Sequence, residues 1–335
     1  MIIVTPNPAI DRTLLLLKLE LGSIHRPTRT IVAAGGKGLN AARAAKVLGA
    51  NPLCMGFLGG PVGRHLAELA DNEGLRCTWT WSEAETRSCT ILSDGNSEPT
   101  VIYEPGKQVP DKAWEDLAID IFQNAHPGEI IAFCGSLPAE SDSAFRFLLD
   151  RLNQSGYCVW VDSSGTALKA ALQARVQGIK INLSEACELI GTENSGNMED
   201  AMNIGRKIHQ QGIKQVVLTL GARGALYFSA DQHFYLASPP VKAISNVGSG
   251  DSFFGAFLWG LERGISLQEA FSEGIAAGVA NTLSAGGGRF SMAEFSELRS
   301  AIPTQMMSGQ LITQKADNLY NMDTVASNKA LSGGN

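Results

Sequence analysis

No CxxC pair occurs among the six cysteines (Cys54, Cys77, Cys89, Cys134, Cys158 and Cys187), and the five histidines show neither HxxxH nor HExxH spacing. A structural zinc site and a disulfide framework are therefore not expected. Cysteines in contexts such as Ile131-Ala132-Phe133-Cys134 read as small buried hydrophobes rather than nucleophiles. The absence of G-x-x-x-x-G-K-[ST] excludes a P-loop. No apolar stretch approaches the roughly 20 residues that span a bilayer. The opening Met1-Ile2-Ile3-Val4 runs straight into a strand-like segment without a basic leader, so neither a signal peptide nor a membrane partner is expected, and the cytoplasm is the default setting. Long basic runs are missing too. The balance of 33 acidic against 27 basic residues gives a net charge of −6, which argues against general attraction to nucleic acid. Any anion this chain binds must be held locally.

What is present is an ample supply of core residues, 44% hydrophobic over 335 positions. Short apolar runs at Ile2–Thr5, Ile130–Cys134, Cys158–Val161, Ile179–Ile181 and Val216–Leu220 read as buried strands. Between them, Asp111–Asn124, Asp142–Gln154, Glu199–Gln211 and Asp251–Leu261 carry apolar positions at three- and four-residue spacing, as crossover helices do. The alternation predicts an α/β fold with a doubly wound, mainly parallel sheet flanked by helices. Two segments, about residues 12–34 and 87–104, break the rhythm with mixed apolar and polar residues and few helix signals. They are expected to form a small β-sheet standing off the main one. From Pro303 the chain turns polar and aperiodic, so the folded unit is expected over residues 1–302, with a loosely held tail over 303–335.

Two glycine turns carry the chemistry. In Asn246-Val247-Gly248-Ser249-Gly250-Asp251 a turn leads directly into an amphipathic helix. Its amides and the helix dipole suit an anion such as a transferring phosphoryl group. Asp251, in the first helical turn, is placed to take a proton from a bound hydroxyl. By itself this turn reads equally well as a capped helix start. The second turn, Ala33-Ala34-Gly35-Gly36-Lys37-Gly38-Leu39-Asn40, presents a lysine and an asparagine together, which suits a phosphate and a sugar hydroxyl. Gly36, Gly38 and Ala41 also satisfy a dinucleotide fingerprint. The acidic residue such a fingerprint needs about 20 positions on is missing from Phe57-Leu58-Gly59-Gly60-Pro61, which weakens a dehydrogenase reading.

Taken in order, these segments resemble the PfkB or ribokinase superfamily, in its branch of 1-phosphofructokinase, tagatose-6-phosphate kinase and the minor 6-phosphofructokinase. The resemblance runs through Thr5-Pro6-Asn7-Pro8-Ala9-Ile10-Asp11, Gly35 to Asn40, Thr86-Arg87 with Glu104-Pro105-Gly106, Gly135-Ser136-Leu137-Pro138, and Val161-Asp162-Ser163-Ser164-Gly165. It continues through Lys180-Ile181-Asn182-Leu183-Ser184-Glu185, Thr219 to Ala225, and Gly248 to Asp251. It implies a ribokinase-like fold in which the two irregular β segments are a lid. The reaction implied is ATP-dependent phosphorylation of a ketose phosphate at its free primary hydroxyl, with fructose 1-phosphate first, tagatose 6-phosphate as the alternative and fructose 6-phosphate third.

By the same resemblance Asp251 is the base, with Gly248, Ser249 and Gly250 as the anion hole. Asp11, Gly36, Lys37, Asn40, Arg87, Ser136 and Asp162 are expected to bind the sugar, with Lys37 and Arg87 on its phosphate. Lys180, Asn182, Thr219, Gly221, Gly224 and Gly250 are expected to bind ATP, and Asn182 with Glu185 to organise Mg2+ through water. A homodimer through the lid is a further expectation. Three positions depart from the pattern: Ser249 stands for alanine, Ile181 for proline, and Cys89 where fructose-phosphate kinases commonly carry asparagine. Rival readings are a kinase of a free sugar or nucleoside, and a sugar-phosphate sensor without turnover. The sensor is expected to have lost the aspartate or an anion-hole glycine, and all of these are present here.

Overall fold

A computed structural model describes residues 1–94, 99–193 and 196–302. The tail expected over 303–335 lies outside the described residues. Among them the chain opens with β1 (Ile2–Thr5), β2 (Ala9–Leu15) and β3 (Arg29–Gly35), then α1 (Lys37–Val47), β4 (Leu53–Leu58), α2 (Gly60–Asn72), β5 (Arg76–Trp81), β6 (Arg87–Ser93) and β7 (Thr100–Tyr103). It continues with α3 (Asp111–Asn124), β8 (Ile130–Cys134), α4 (Asp142–Gln154), β9 (Cys158–Asp162), α5 (Gly165–Ala174), β10 (Gly178–Asn182), α6 (Leu183–Ile190) and α7 (Met198–His209). The last elements are β11 (Gln215–Thr219), β12 (Ala225–Ser229), β13 (His233–Leu236), α8 (Ser249–Glu262), α9 (Leu267–Thr282) and α10 (Met292–Ala301).

The main sheet has the order β13-β12-β11-β10-β9-β8-β1-β4-β5. It is parallel from β5 to β11, and β12 and β13 close that edge antiparallel. Helices cover both faces, and side chains alternate between two cores because successive residues of a strand point to opposite sides. On β8, Ile131 and Phe133 enter one core while Ala132 and Cys134 enter the other. Phe133 meets Phe145 of α4 edge to face at 5.2 Å. On the opposite side Trp160 of β9 meets Phe257 of α8 at 5.3 Å. No described helix is long and apolar enough to cross a membrane.

The segments expected to act as a lid form a separate four-stranded sheet, β3-β2-β6-β7. Its strands are placed as expected within segments 12–34 and 87–104, except that β2 already begins at Ala9 and β3 ends at Gly35. The reason is local: Pro6 and Pro8 end β1, and the ladder resumes at the first residue after them. The sequence reading also missed β4 and β5, whose apolar and aromatic residues are interrupted by glycine and threonine.

Strands β1, β8, β9, β10 and β11 end along one edge, with β10 and β11 running past β9, whose last residue Asp162 pairs with Lys180. Cys134 is paired with Asp162, and Asn182 with Thr219. Helices α1 and α8 bring their N-termini to the same edge and pack so closely that a Cβ on Gly255 would lie 2.0 Å from the carbonyl oxygen of Ala41. Gly255→Ala must push these helices apart and is expected to cost about 1–3 kcal/mol. A lowered urea midpoint with an unchanged m-value would show this, and an unchanged midpoint would refute the close packing.

Candidate active site

The N-terminus of α8 forms the floor of the site. Gly248 caps the helix in the left-handed region (φ 79°), a conformation that glycine adopts without strain. A Cβ there would also strike Gly287, 2.3 Å from its Cα. The Ser249 amide leans toward the Asn246 carbonyl at 3.3 Å. The amides of Gly250 and Asp251 belong to the first turn, where there is no carbonyl one turn back to receive them. The Ser249 hydroxyl is buried and unpartnered.

Asp251 is buried at 7% exposure, and Asn40 donates to its Oδ2 at 2.8 Å. Burial, then the charge of Asp162, pushes its carboxyl above the ordinary range. Lys37, Lys180 and the Asn40 bond oppose that rise without cancelling it. A buried carboxylate with a raised pKa at a helix N-terminus has the properties of a general base.

Behind Asp251 lies an ion network. Asp162, fully buried, accepts from Lys180 at 2.9 Å and from Lys37 at 3.2 Å. Lys37 also reaches Glu185 at 3.3 Å. Burial alone would raise the Asp162 carboxyl, but the two ammonium groups outweigh it and hold it low. Burial would likewise lower the Lys37 ammonium, and Asp162, Glu185 and Asp251 together hold it up. Lys180 lies against the glycine turn before α8: a Cβ on Gly250 would come within 2.8 Å of its Nζ. Asn182 and Glu185 form a reciprocal capping box at the start of α6, with bonds of 2.8 and 3.0 Å. Ile181, in the position of the usual proline, is fully buried in the core.

The donor set supplies one carboxylate and one amide oxygen, and among the described residues no cluster of three or more His, Cys, Asp or Glu could hold a metal. That fits Mg2+ carried mainly by phosphate and water, not a protein cage. Thr219, Gly221 and Gly224 line the turn beside Asn182, where Gly221 has φ 63°.

A second cluster sits under the lid. Arg87 donates to the carbonyls of Asn7 at 3.0 Å and Glu104 at 3.1 Å, and approaches Ser136 Oγ at 3.5 Å. Asn7 donates to the same hydroxyl at 3.2 Å. Asp11 lies over Gly35, where a Cβ would collide with its carboxyl at 2.2 Å, and across the ladder from buried Cys89. Gly36 starts α1 at φ 121°.

The expected residues thus gather in two networks. Lys37 contacts Asp162 and Glu185, next to Asp251, while Arg87 contacts Asn7 and Ser136. The reason is that Lys37 opens α1 and faces the ends of β9 and β10, whereas Arg87 comes from the lid.

Two groups escaped the sequence reading. Asn281 of α9, fully buried, donates to the Val247 carbonyl at 2.8 Å and accepts from Ser252 Oγ and the Gly288 amide at 3.1 and 2.7 Å, tying the glycine turn, the start of α8 and the glycine run after α9 together. The Gly286-Gly287-Gly288 run packs against Asn40 and Gly248. A lone asparagine in an apolar helix, followed by three glycines, was the available signal.

The family model described as pfkB family carbohydrate kinase matches residues 5–293. The chain is 28% identical to the 1-phosphofructokinase of Bacillus subtilis (strain 168), covering 84% of this chain and 92% of that protein. It is 31% identical to the 1-phosphofructokinase of Escherichia coli (strain K12), covering 77% and 83%. The crystal structure of phosphofructokinase-2 from Escherichia coli in complex with substrates and products superposes with a TM-score of 0.83 at 28% identity, covering 90% of this chain and 99% of the other.

Burial, then Arg43 and Arg87, sets the Asp11 carboxyl; burial prevails over both arginines, and its pKa rises from 3.8 to about 6. A carboxyl whose folded pKa is raised favours folding at low pH and loses that contribution as pH rises through about 6. Asp11→Asn is therefore expected to raise the melting temperature more at pH 8 than at pH 5. An equal gain at both values would show that Asp11 is not held in this way.

Proposed function

The chain belongs to the pfkB family of carbohydrate kinases, and from that premise we propose that it transfers the γ-phosphoryl group of ATP to the free primary hydroxyl of fructose 1-phosphate. It is a phosphotransferase acting on a sugar hydroxyl. The observation that carries the finer reading is Asp251, buried at the anion-binding turn between a lysine-lined network and an arginine cluster under the lid.

In this reading the sugar lies under the lid. Asp11 and Asn40 take its hydroxyls, with Gly36 giving close backbone approach, and Arg87, Ser136 and Asn7 take its phosphate by charge-assisted and neutral hydrogen bonds. ATP lies along the ends of β10 and β11, over Lys180, Asn182, Thr219, Gly221 and Gly224. Magnesium bound with ATP would neutralise charge on its phosphates, and Asn182 with Glu185 would hold its water shell. Asp251 accepts the proton of the attacking hydroxyl, and the raised pKa that burial gives it makes it a stronger base than an exposed carboxylate. The amides of Gly250 and Asp251, joined by Ser249 once it turns from Asn246, face the equatorial oxygens. Each such donor is commonly worth about 3 kcal/mol. Lys37 and Lys180, beside Asp251, meet the charge of the transferring group, and Asp162 holds both ammonium groups in place.

A lid over the sugar excludes water, which would otherwise compete for the phosphoryl group. Leu21 and Ile24 on the connection between β2 and β3 are 100% and 92% exposed, which supports pairing of two lids in a homodimer. A cytoplasmic setting, where ATP and phosphosugars meet, goes with this reading. Buried Cys89, beside Asp11 on the ladder, keeps tagatose 6-phosphate as the second substrate.

A coupled ADP-release assay against fructose 1-phosphate, tagatose 6-phosphate, fructose 6-phosphate, free fructose and free ribose tests the proposal. Turnover is expected to be strongest with fructose 1-phosphate, and turnover on free sugars alone would overturn it. Asp251→Asn is expected to lower kcat by roughly 10²–10⁴-fold while KM for the sugar changes little.

A further inference from the structure

A buried chain of side chains leads away from Asp251. Asn40 donates through Nδ2 to Asp251 Oδ2 at 2.8 Å and accepts at Oδ1 from Arg43 Nη1 at 2.9 Å. All three residues are at most 8% exposed. A carboxamide is close to symmetric in shape, so a half-turn about its last torsion would exchange NH2 for oxygen at little steric cost. Facing Asp251 with its oxygen, Asn40 would repel the carboxylate it now stabilises. A guanidinium can only donate and stays charged, so it accepts one of the two orientations and rejects the other.

Arg43 is itself fixed on three sides. Its Nη2 donates to the Ala34 carbonyl and its Nε to Glu73, and Glu73 is also paired with Arg289 at 3.4 Å. Two glycines close the remaining space. A Cβ on Gly287 would lie 2.3 Å from Asn40 Cγ, and one on Gly288 would lie 2.7 Å from Arg43 Cβ.

We infer that Arg43 is a positioning residue for phosphoryl transfer, holding the Asn40 carboxamide so that its NH2, and not its oxygen, faces Asp251. The inference rests on the proposed function only in taking Asp251 as the base. Other charged or titratable groups also act on this carboxyl: Asp162, Lys37 and Lys180 directly, with Asp11, Tyr103 and Cys134 coupled to it from the lid and from β8. Any test must therefore separate an effect carried by Asn40 from a change in the general field.

The test is a carbon-13 NMR titration of the Asp251 carboxyl in unliganded protein for wild type, Arg43→Met, Asn40→Ala and the double variant. A hydrogen bond to a charged group corresponds to a shift of about 1–2 pH units. Arg43→Met and Asn40→Ala are each expected to raise the Asp251 pKa by about that much, and the double variant no further than Asn40→Ala alone. In steady-state assays Arg43→Met is expected to lower kcat at least about tenfold, moving the acid limb upward and KM for ATP by less than about twofold. An unchanged titration in Arg43→Met, or a full Arg43→Met shift surviving in the Asn40→Ala background, would overturn the inference. Should Arg43→Met not fold, adding Glu73→Gln removes the stranded carboxylate and permits the same comparison. Absence of turnover on every phosphosugar would count against the proposed function and leave the titration readable, so the two failures are distinct.

Discussion

The hydrogen bond from Asn40 to Asp251 joins the two helix starts on which the site is built, and much of the architecture serves to make it possible. It requires α1 and α8 to begin at the same edge of the sheet and to lie closer than side chains would allow. Gly255 against the Ala41 carbonyl provides that closeness, and Gly248 against Gly287 repeats it at the helix end. Glycine in a helix interior weakens the helix by about 0.5–1 kcal/mol. Here the loss is offset by a contact that no larger residue permits.

Around that bond, charge is concentrated and then divided. Asp162, Glu185 and Asp251 lie within reach of Lys37 and Lys180, while Asp11 and Arg87 form the other half under the lid. Burying so many ionised groups is costly unless each is paired. The pairing also fixes the lysines: held by Asp162, they keep their positions as donors. Asp251 lacks such a full pairing, so burial raises its pKa and leaves it the basic member of the group.

The lid and the main sheet meet where β1 gives way to β2. Pro6 and Pro8 stop the first strand, Asn7 between them turns to Ser136 and Leu137, and Arg87 takes the Asn7 carbonyl. One short turn thus couples the end of β1, the loop after β8 and the start of β6.

The sequence alone was enough to establish the alternation of buried strands and crossover helices, the two glycine turns and the aspartate following one of them. Each depends on local rules: strand burial, helix periodicity and the φ angles open to glycine. The family likeness rested on the same turns. The tertiary structure decided which partners these residues have. Lys37 contacts Asp162 and Glu185, Arg87 contacts Asn7 and Ser136, and Arg43 and Asn281, ordinary helix residues by their spacing, are buried among polar groups far along the chain. A side chain's helix or strand can be inferred from its neighbours in sequence. The charge it will face depends on how the ends of five strands and two helices come to lie side by side, and no local pattern carries that information.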